Sequence, residues 1–296
     1  MTGIRAALVA VACFPALLGA LLEPQTRRVY VTAVDATGAP VTDLTAADFV
    51  VKEGGKIREI VRAVPASAPM QIAVLVDDNG TGIFRYAVAK FLEALLGRAE
   101  FAISTVTGQT MKLLDYTANA QALSEVIGKL GPRPATNDGG QLLDGISETA
   151  HDLHDRKASR PVIVALTVGG EEHSTLPAHH VLDNLRQSGA ALNVVLIVNS
   201  ALRPQANTST PAALLGENVN LSEVLGDGPK QSGGHVDEII TATGLAASLN
   251  QLAEALKHQY LIEYTLPDGV KPSDKLSVSM KRRGVSLRAP THIPDR

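Results

Sequence analysis

Long apolar runs alternate with amphipathic segments over residues 67–258 of the chain. Residues 70–76 and 162–167 are almost wholly apolar and too short to cross a membrane as helices, which is the pattern of strands buried on both faces of a parallel sheet. Between such runs, apolar residues recur every three or four positions, as in residues 83–96 and 142–154, and this spacing predicts amphipathic helices. Strands that alternate with helices predict an α/β fold, in which helices cover both faces of a doubly wound, mostly parallel sheet.

The segments on either side of this region have a different pattern. Residues 28–66 and 259–290 hold short runs rich in β-branched residues, separated by turns with Gly and Pro, which predicts short antiparallel strands. Neither flank has enough strands to be stable alone, so we expect the two to form one small β unit beside the α/β domain. Residues 200–234 interrupt the alternation with many Asn, Pro, Ser and Gly residues. We expect a long surface excursion there, with a short helical piece around residues 221–225.

Residues 1–22 have the layout of a secretory signal peptide. Arg5 precedes an almost unbroken apolar run, which ends before a polar stretch. An uncleaved anchor of similar length is the alternative, whereas a lipoprotein signal at Cys13 is not expected because the apolar run continues well past it. We therefore expect a secreted or periplasmic protein whose mature chain begins after Ala20. Since Cys13 is the only cysteine, that mature chain would form no disulfide bond.

The composition excludes several classes of partner. The net charge is −3 and the longest basic run is residues 281–283, so the chain lacks the basic patch that nucleic acids require. Aromatic residues make up 3% of the chain and tryptophan is absent, which argues against carbohydrate sites built on aromatic stacking. Beyond the N-terminal segment no apolar run is long enough to span a bilayer, so we expect no membrane span in the mature chain.

Small polar residues follow the first buried strand directly. Asp77, Asn79 and Thr81 alternate there with Asp78 and a glycine. The carboxyl ends of strands in open α/β sheets are the usual place for ligand sites. Three side-chain oxygens on one short loop suit a hard cation such as Mg²⁺, which keeps several waters and takes few protein ligands. The same residues are also common in turns of any function.

Three segments resemble the metal-ion-dependent adhesion site of von Willebrand factor A (VWA) domains. Residues 77–81 are similar to its Asp-x-Ser-x-Ser segment, and residues 134–140 are similar to the segment that supplies a metal-binding Thr. Residues 162–170 resemble the strand and loop that normally end in Thr-Asp-Gly, but Val168 stands where that family has Asp. The site therefore resembles a degenerate form of the adhesion site.

The flanks carry the resemblance further. Residues 43–55 look like the N-terminal block of the bacterial VWFA-related domain proteins, and residues 256–264 look like their C-terminal block. The resemblance covers almost all of the chain after the first two dozen residues, and it implies a VWA-like or Rossmann-like domain at residues 67–258.

The resemblance also implies roles for individual residues. In the family, hydroxyl residues bind the metal directly and the Asp residues act largely through water. Carried over to this chain, the direct ligands would be Asn79, Thr81 and Thr136, and Asp77 would act through water. The family assigns no role to two further carboxylates that could restore some charge, Asp78 and Asp138. Because Val168 removes a charge and an acceptor for the metal's waters, we expect weak binding of Mg²⁺ or Mn²⁺.

The expected function is that of a protein-binding or scaffold module without catalytic activity, whose metal would take a carboxylate from the partner as its last ligand. One alternative is a metal-independent scaffold with a vestigial site. A second is a metal-dependent hydrolase that uses Asp77, Asp78 and Glu172. Residues 171–173 are expected to form a solvated acidic loop, and the sequence has no nucleophile elbow, phosphate loop or dinucleotide fingerprint.

Overall fold

The computed structural model of the protein describes residues 25–132, 139–169, 172–198 and 218–294. Its strands, in chain order, are β1 (Gln25–Val34), β2 (Phe49–Glu53), β3 (Lys56–Arg58), β4 (Ile60–Pro65), β5 (Met70–Asp77), β6 (Ala99–Thr105), β7 (Met111–Thr117), β8 (Pro161–Thr167), β9 (Ala191–Ile197), β10 (Val236–Ile239), β11 (Tyr260–Leu266), β12 (Leu276–Met280) and β13 (Ser286–Arg288). Its helices are α1 (Arg85–Leu95), α2 (Ala120–Lys129), α3 (Leu142–Asp155), α4 (Ala178–Ser188), α5 (Val219–Ser232) and α6 (Ala242–Lys257). No helix within these ranges has the length and apolar character needed to cross a membrane.

A six-stranded sheet forms the centre of the α/β region. Its order is β10-β9-β8-β5-β6-β7, and all neighbours are parallel except β6 and β7, which are antiparallel. Val74 of β5 lies in register between Ile103 of β6 and Val164 of β8. The predicted fold class, an α/β fold with a doubly wound and mostly parallel sheet, is confirmed.

Both faces of this sheet are buried. On β5, Ile72 and Val74 join an apolar core with α1, α2 and α6, whereas Leu75 joins a second core with α3, α4 and α5. Successive side chains of a strand point to opposite faces, so a strand covered on both sides must be apolar at every position. The continuous apolar runs in the sequence have this origin, and polar residues are left for the strand ends.

The two flanks pair with each other beside the α/β region. β1 is antiparallel to β11 over a register from Gln25↔Leu266 to Val31↔Tyr260, and β4 and β13 complete a four-stranded sheet. β2 pairs with β12 and β3 in a separate three-stranded sheet. The rings of Phe49 and Tyr260 pack between them with centroids 5.7 Å apart. The small β unit predicted from the two flanks is therefore present.

The prediction of a long surface excursion over residues 200–234 is corrected by the structure. Residues 200–217 of it lie outside the described ranges, whereas α5 fills most of the remainder and is followed by β10. The side chain of Asn218 accepts a hydrogen bond from the Leu221 amide (3.0 Å) and so caps the helix, while Leu221 and Val224 are buried in the second core. The sequence predicts too short a helix here because three residues within it have low helix propensity, namely Gly226, Gly228 and Pro229. The predicted signal peptide also lies outside the described residues.

Candidate functional site at the carboxyl edge of the sheet

Asp77 is the last residue of β5 and lies at the carboxyl edge of the sheet. β5 is flanked by β6 and β8, so Asp77 lies between the ends of two neighbouring strands. Its exposed fraction is 9%. The backbone oxygen of Asp77 accepts a hydrogen bond from the Val168 amide (3.0 Å), which holds the end of β8 against it. This edge position agrees with the sequence expectation for an open α/β sheet.

The carboxylate of Asp77 contacts the two neighbouring loops. The hydroxyl of Thr167 donates to its Oδ2 (2.6 Å) and accepts from the Gly169 amide (2.9 Å). The backbone of Gly140 also lies near this carboxylate, because a Cβ placed on Gly140 would be 3.2 Å from Oδ1 of Asp77. The absence of a side chain at Gly140 lets the backbone before α3 approach the carboxylate.

The electrostatic surroundings of Asp77 are unfavourable to its charge. Burial raises the pKa of Asp77 to about 6, and the negative charges of Glu172 and Asp78 add to this, against the hydrogen bond from Thr167, which lowers it. No basic group among the described residues contributes to the pKa of Asp77. The carboxylate of Asp77 therefore lies in a negative environment to which Glu172 and Asp78 contribute.

Glu172 contributes to this environment, although the sequence analysis assigned it to a solvated loop. Its Oε2 accepts from the Leu142 amide (3.2 Å) and its Oε1 accepts from the Leu143 amide (3.3 Å), so it caps the N-terminus of α3. Burial raises the pKa of Glu172, while hydrogen bonds from Ser174 and from these amides lower it. The expectation of a solvated acidic loop is wrong for Glu172, because its amide partners are about thirty residues away and leave no local signal.

The first loop is held by Asp78 itself. The Asp78 carboxylate accepts hydrogen bonds from the amides of Gly80 (3.0 Å) and Gly82 (2.8 Å). The hydroxyl of Thr81 donates to the backbone oxygen of Asp78 (2.8 Å), and Asn79 is exposed with a left-handed φ of 49°. Asp78 therefore organises the turn, whereas Asn79 and Thr81 stand on its outer side.

Of the four residues expected to hold a metal, three lie within the described residues. Asp77 ends β5 and Asn79 and Thr81 lie in the loop that follows it, while Thr136 and Asp138 lie outside the described residues. Val168 is partly buried and packs against the core shared with α1, α2 and α6. Within the described ranges, no group of three or more His, Cys, Asp and Glu side chains is arranged to hold a metal ion. The donors present are carboxylate, amide and hydroxyl oxygens, which match a hard cation in type.

Comparisons with known proteins bear on the fold. No protein-family model matches the chain, and a search of curated proteins finds no similar sequence. Similar solved structures include a von Willebrand factor type A protein from Catenulispora acidiphila, with 13% identity over 92% of this chain and 74% of that chain (TM-score 0.45). The pilus adhesin SpaC from Lactobacillus rhamnosus GG has 11% identity over 83% of this chain and 48% of that chain (TM-score 0.48). Proximal thread matrix protein 1 from the mussel byssus has 12% identity over 65% of this chain and 49% of that chain (TM-score 0.45).

The chain spans about half the length of the last two of these structures. The VWA domain of SpRpn10 is a further similar structure, with 13% identity over 62% of this chain and a TM-score of 0.42. At such identities the likeness is one of fold. The doubly wound, mostly parallel sheet that the sequence predicted is present, and the VWA-like character of the domain stays what the resemblance of the sequence implies.

Proposed function

We propose that the protein is a protein-interaction module whose binding site is the carboxyl edge of the central sheet around Asp77. The observation that carries this proposal is the buried carboxylate of Asp77, whose pKa is raised by burial and by the charges of Glu172 and Asp78, and to which no basic group among the described residues contributes. A cation at this edge would be stabilised by the carboxylates, and the exposed Asn79 and Thr81 offer polar contacts to a protein partner around it.

We further propose that a divalent cation binds weakly at this edge. Asp77, Asn79, Thr81 and Thr136 would hold it through oxygen atoms, and the cation would relieve the repulsion between the carboxylates. Val168 supplies no charge, so the affinity for Mg²⁺ or Mn²⁺ is low, and an acidic residue of the partner completes the ligand set. Retained waters on such an ion would need acceptors that Val168 cannot provide.

The same geometry argues against catalysis. The only hydroxyl seen on the Asp77 carboxylate within the described residues is that of Thr167, which is 1% exposed and cannot meet a substrate. Both oxygens of Glu172 accept hydrogen bonds from backbone amides, so this carboxylate is committed to the N-terminus of α3. The hydrolase alternative would need one of these groups to face an open site. Export to the periplasm or the exterior stays a prediction that rests on residues 1–22.

Isothermal titration of the protein with Mg²⁺ and with Mn²⁺ tests the cation proposal. We expect weak binding by the wild type, tighter binding by Val168→Asp by about tenfold or more, and loss of binding in Thr136→Ala. Val168→Asn is the matched control, because it has the shape of Asp without the charge, and Thr243→Ala is the control for loss of an exposed Thr. Melting curves of each variant establish that it is folded.

A metal-independent scaffold is the second candidate, and one observation favours it. The oxygens of Asp78 and Glu172 already accept backbone hydrogen bonds, so two of the three carboxylates are satisfied without an ion. If the wild type takes up neither ion at millimolar concentration and Val168→Asp does not change this, the scaffold interpretation replaces ours.

A further inference from the structure

A polar cavity of about 210 Å³ lies at the other end of the central sheet. Strands β9 and β10 contribute the residues near their amino ends, α6 covers them, and β13 and the turn after β1 close the side. The polar side chains that line it are Asn193, His235, Asp237, Ser248, Gln251 and Arg288. Asp77 is at the carboxyl ends of the parallel strands, so this cavity is separate from the candidate site described above.

The cavity exists because polar residues replace core residues on one face of the sheet. On β9, Val195 and Ile197 belong to the apolar core covered by α6, and Asn193 continues the same face toward the amino end. Asn193 is 5% exposed, and the hydrogen bond from its Nδ2 to the Ala191 oxygen is long (3.4 Å). On the neighbouring β10, Asp237 pairs in register with Val195. A buried amide and, two register positions further along, a carboxylate thus replace apolar residues where a core would otherwise continue.

Charges of opposite sign face this space without forming an ion pair. Arg288 is half-buried, and within the described residues its guanidinium makes no hydrogen bond and no ion pair, although its charge interacts with that of Asp237. Burial lowers the pKa of Arg288 and Asp237 counteracts this. Asp237 accepts a hydrogen bond from the buried hydroxyl of Ser248. Half-buried guanidinium donors without partners are costly, and a carboxylate satisfies two of them at once.

We propose that this cavity binds a small zwitterion of the α-amino-acid type. The carboxylate of the ligand would pair with Arg288 and its ammonium group would lie against Asp237, so that both charges of the protein are compensated. Leu252 and Ala255 of α6 give the cavity an apolar wall for a small side chain. The volume is below the roughly 300–1,000 Å³ of sites for drug-sized molecules, which limits the ligand to a small one. Phosphate fits less well, because a second negative charge would be repelled by Asp237.

Binding of L-valine and two matched analogues, measured by isothermal titration calorimetry, tests the pairing of charges. The analogue 2-hydroxy-3-methylbutanoate lacks the ammonium group and isobutylamine lacks the carboxylate. L-alanine, L-leucine and L-glutamine extend the panel in size and polarity, and inorganic phosphate tests a plain anion site. We expect at least one of these amino acids to bind. Where L-valine binds, 2-hydroxy-3-methylbutanoate and isobutylamine should each bind at least tenfold more weakly than L-valine.

Variants locate the binding. Arg288→Gln and Asp237→Asn should each weaken amino-acid binding at least tenfold, whereas Arg283→Gln, an exposed arginine of the same segment, should not change it. Ala36→Trp should block the cavity at its exposed rim while it leaves both charges and the core untouched. The proposal is overturned if no amino acid binds to the folded wild type, if phosphate or the hydroxy acid binds as well as the amino acid, or if binding survives both Arg288→Gln and Ala36→Trp.

Discussion

The charge of Asp77 opposes folding at neutral pH. The pKa of Asp77 is raised to about 6 from an ordinary value of 3.8, mainly by burial and then by Glu172 and Asp78. The folded state therefore holds this proton more tightly than the unfolded state does. Its contribution to the free energy of unfolding is fully present below about pH 4 and is lost as the pH rises through about 6.

Replacement of Asp77 by Asn should remove this part of the pH dependence. The difference between the two pKa values corresponds to about 3 kcal/mol, so the wild type should lose on the order of 2–3 kcal/mol relative to Asp77→Asn between pH 4 and pH 7. Urea unfolding of both proteins across this range, without divalent cations, gives the comparison. Asp268→Asn, an exposed carboxylate in a turn, is the control, and a constant difference between wild type and Asp77→Asn would contradict the assignment.

Single residues of the site differ in how well the sequence predicts them. Asp77 could be predicted because an apolar run ends at it, which fixes both its burial and its place at the sheet edge. Glu172 could not, because it caps a helix that begins thirty residues earlier in the chain. The charged residues of the polar cavity, such as Asp237 and Arg288, come from distant strands and meet only in the folded protein.

At the scale of elements, the sequence predicts best those helices and strands whose apolar residues follow one regular pattern. β5 and β8 are almost wholly apolar and α3 has a regular apolar stripe, so their type and position follow from the pattern of apolar residues. α5 was underestimated because Gly and Pro residues lower its helix propensity, and packing of its apolar side against α4 and β9 outweighs that loss.

Replacement of either of two glycines in or beside α5 by Ala should change the stability of the protein, in opposite directions. A Cβ on Gly234 would lie 1.8 Å from the backbone oxygen of Leu192, so Gly234→Ala should force β9 and the end of α5 apart and cost about 3 kcal/mol. Gly226 lies within α5 with nothing within 4 Å of such an atom, so Gly226→Ala should stabilise the protein by about 0.5–1 kcal/mol. Urea unfolding of the two variants tests the packing of α5, and destabilisation by both would contradict the open surroundings of Gly226.

At the scale of the whole molecule, the chain closes on itself. β1 near its beginning pairs with β11 and β13 near its end, so formation of the β unit closes a loop that contains the whole α/β region. The sequence predicted this closure from the shortage of strands in each flank. It could not give the register or the division into two sheets, since these depend on side chains that meet only on folding.

A buried arginine connects the two parts. Arg160 is 4% exposed and stands before β8, and burial lowers its pKa to about 10. Its guanidinium donates to the side chain of Gln259 (2.8 and 3.0 Å), and to the backbone oxygens of Ala68 and Leu256. Gln259 in turn donates to the hydroxyl of Thr32 on β1 (3.0 Å). One side chain thus links the central sheet, the segment that leads into it, the end of α6 and the β unit.

Replacement of Arg160 by Lys should weaken the whole molecule rather than one part. Lysine keeps the charge but cannot reproduce a planar fork that serves three acceptors, so buried oxygens lose their donors and the free energy of unfolding should fall by about 3 kcal/mol. Hydrogen exchange followed by mass spectrometry should show faster exchange by the same factor in β5 and in β11, because both are released by one opening event. Arg98→Lys, an exposed neighbour, should change neither. Faster exchange confined to β11 would instead show that the β unit opens independently of the central sheet, and the link through Arg160 would then be a local contact only.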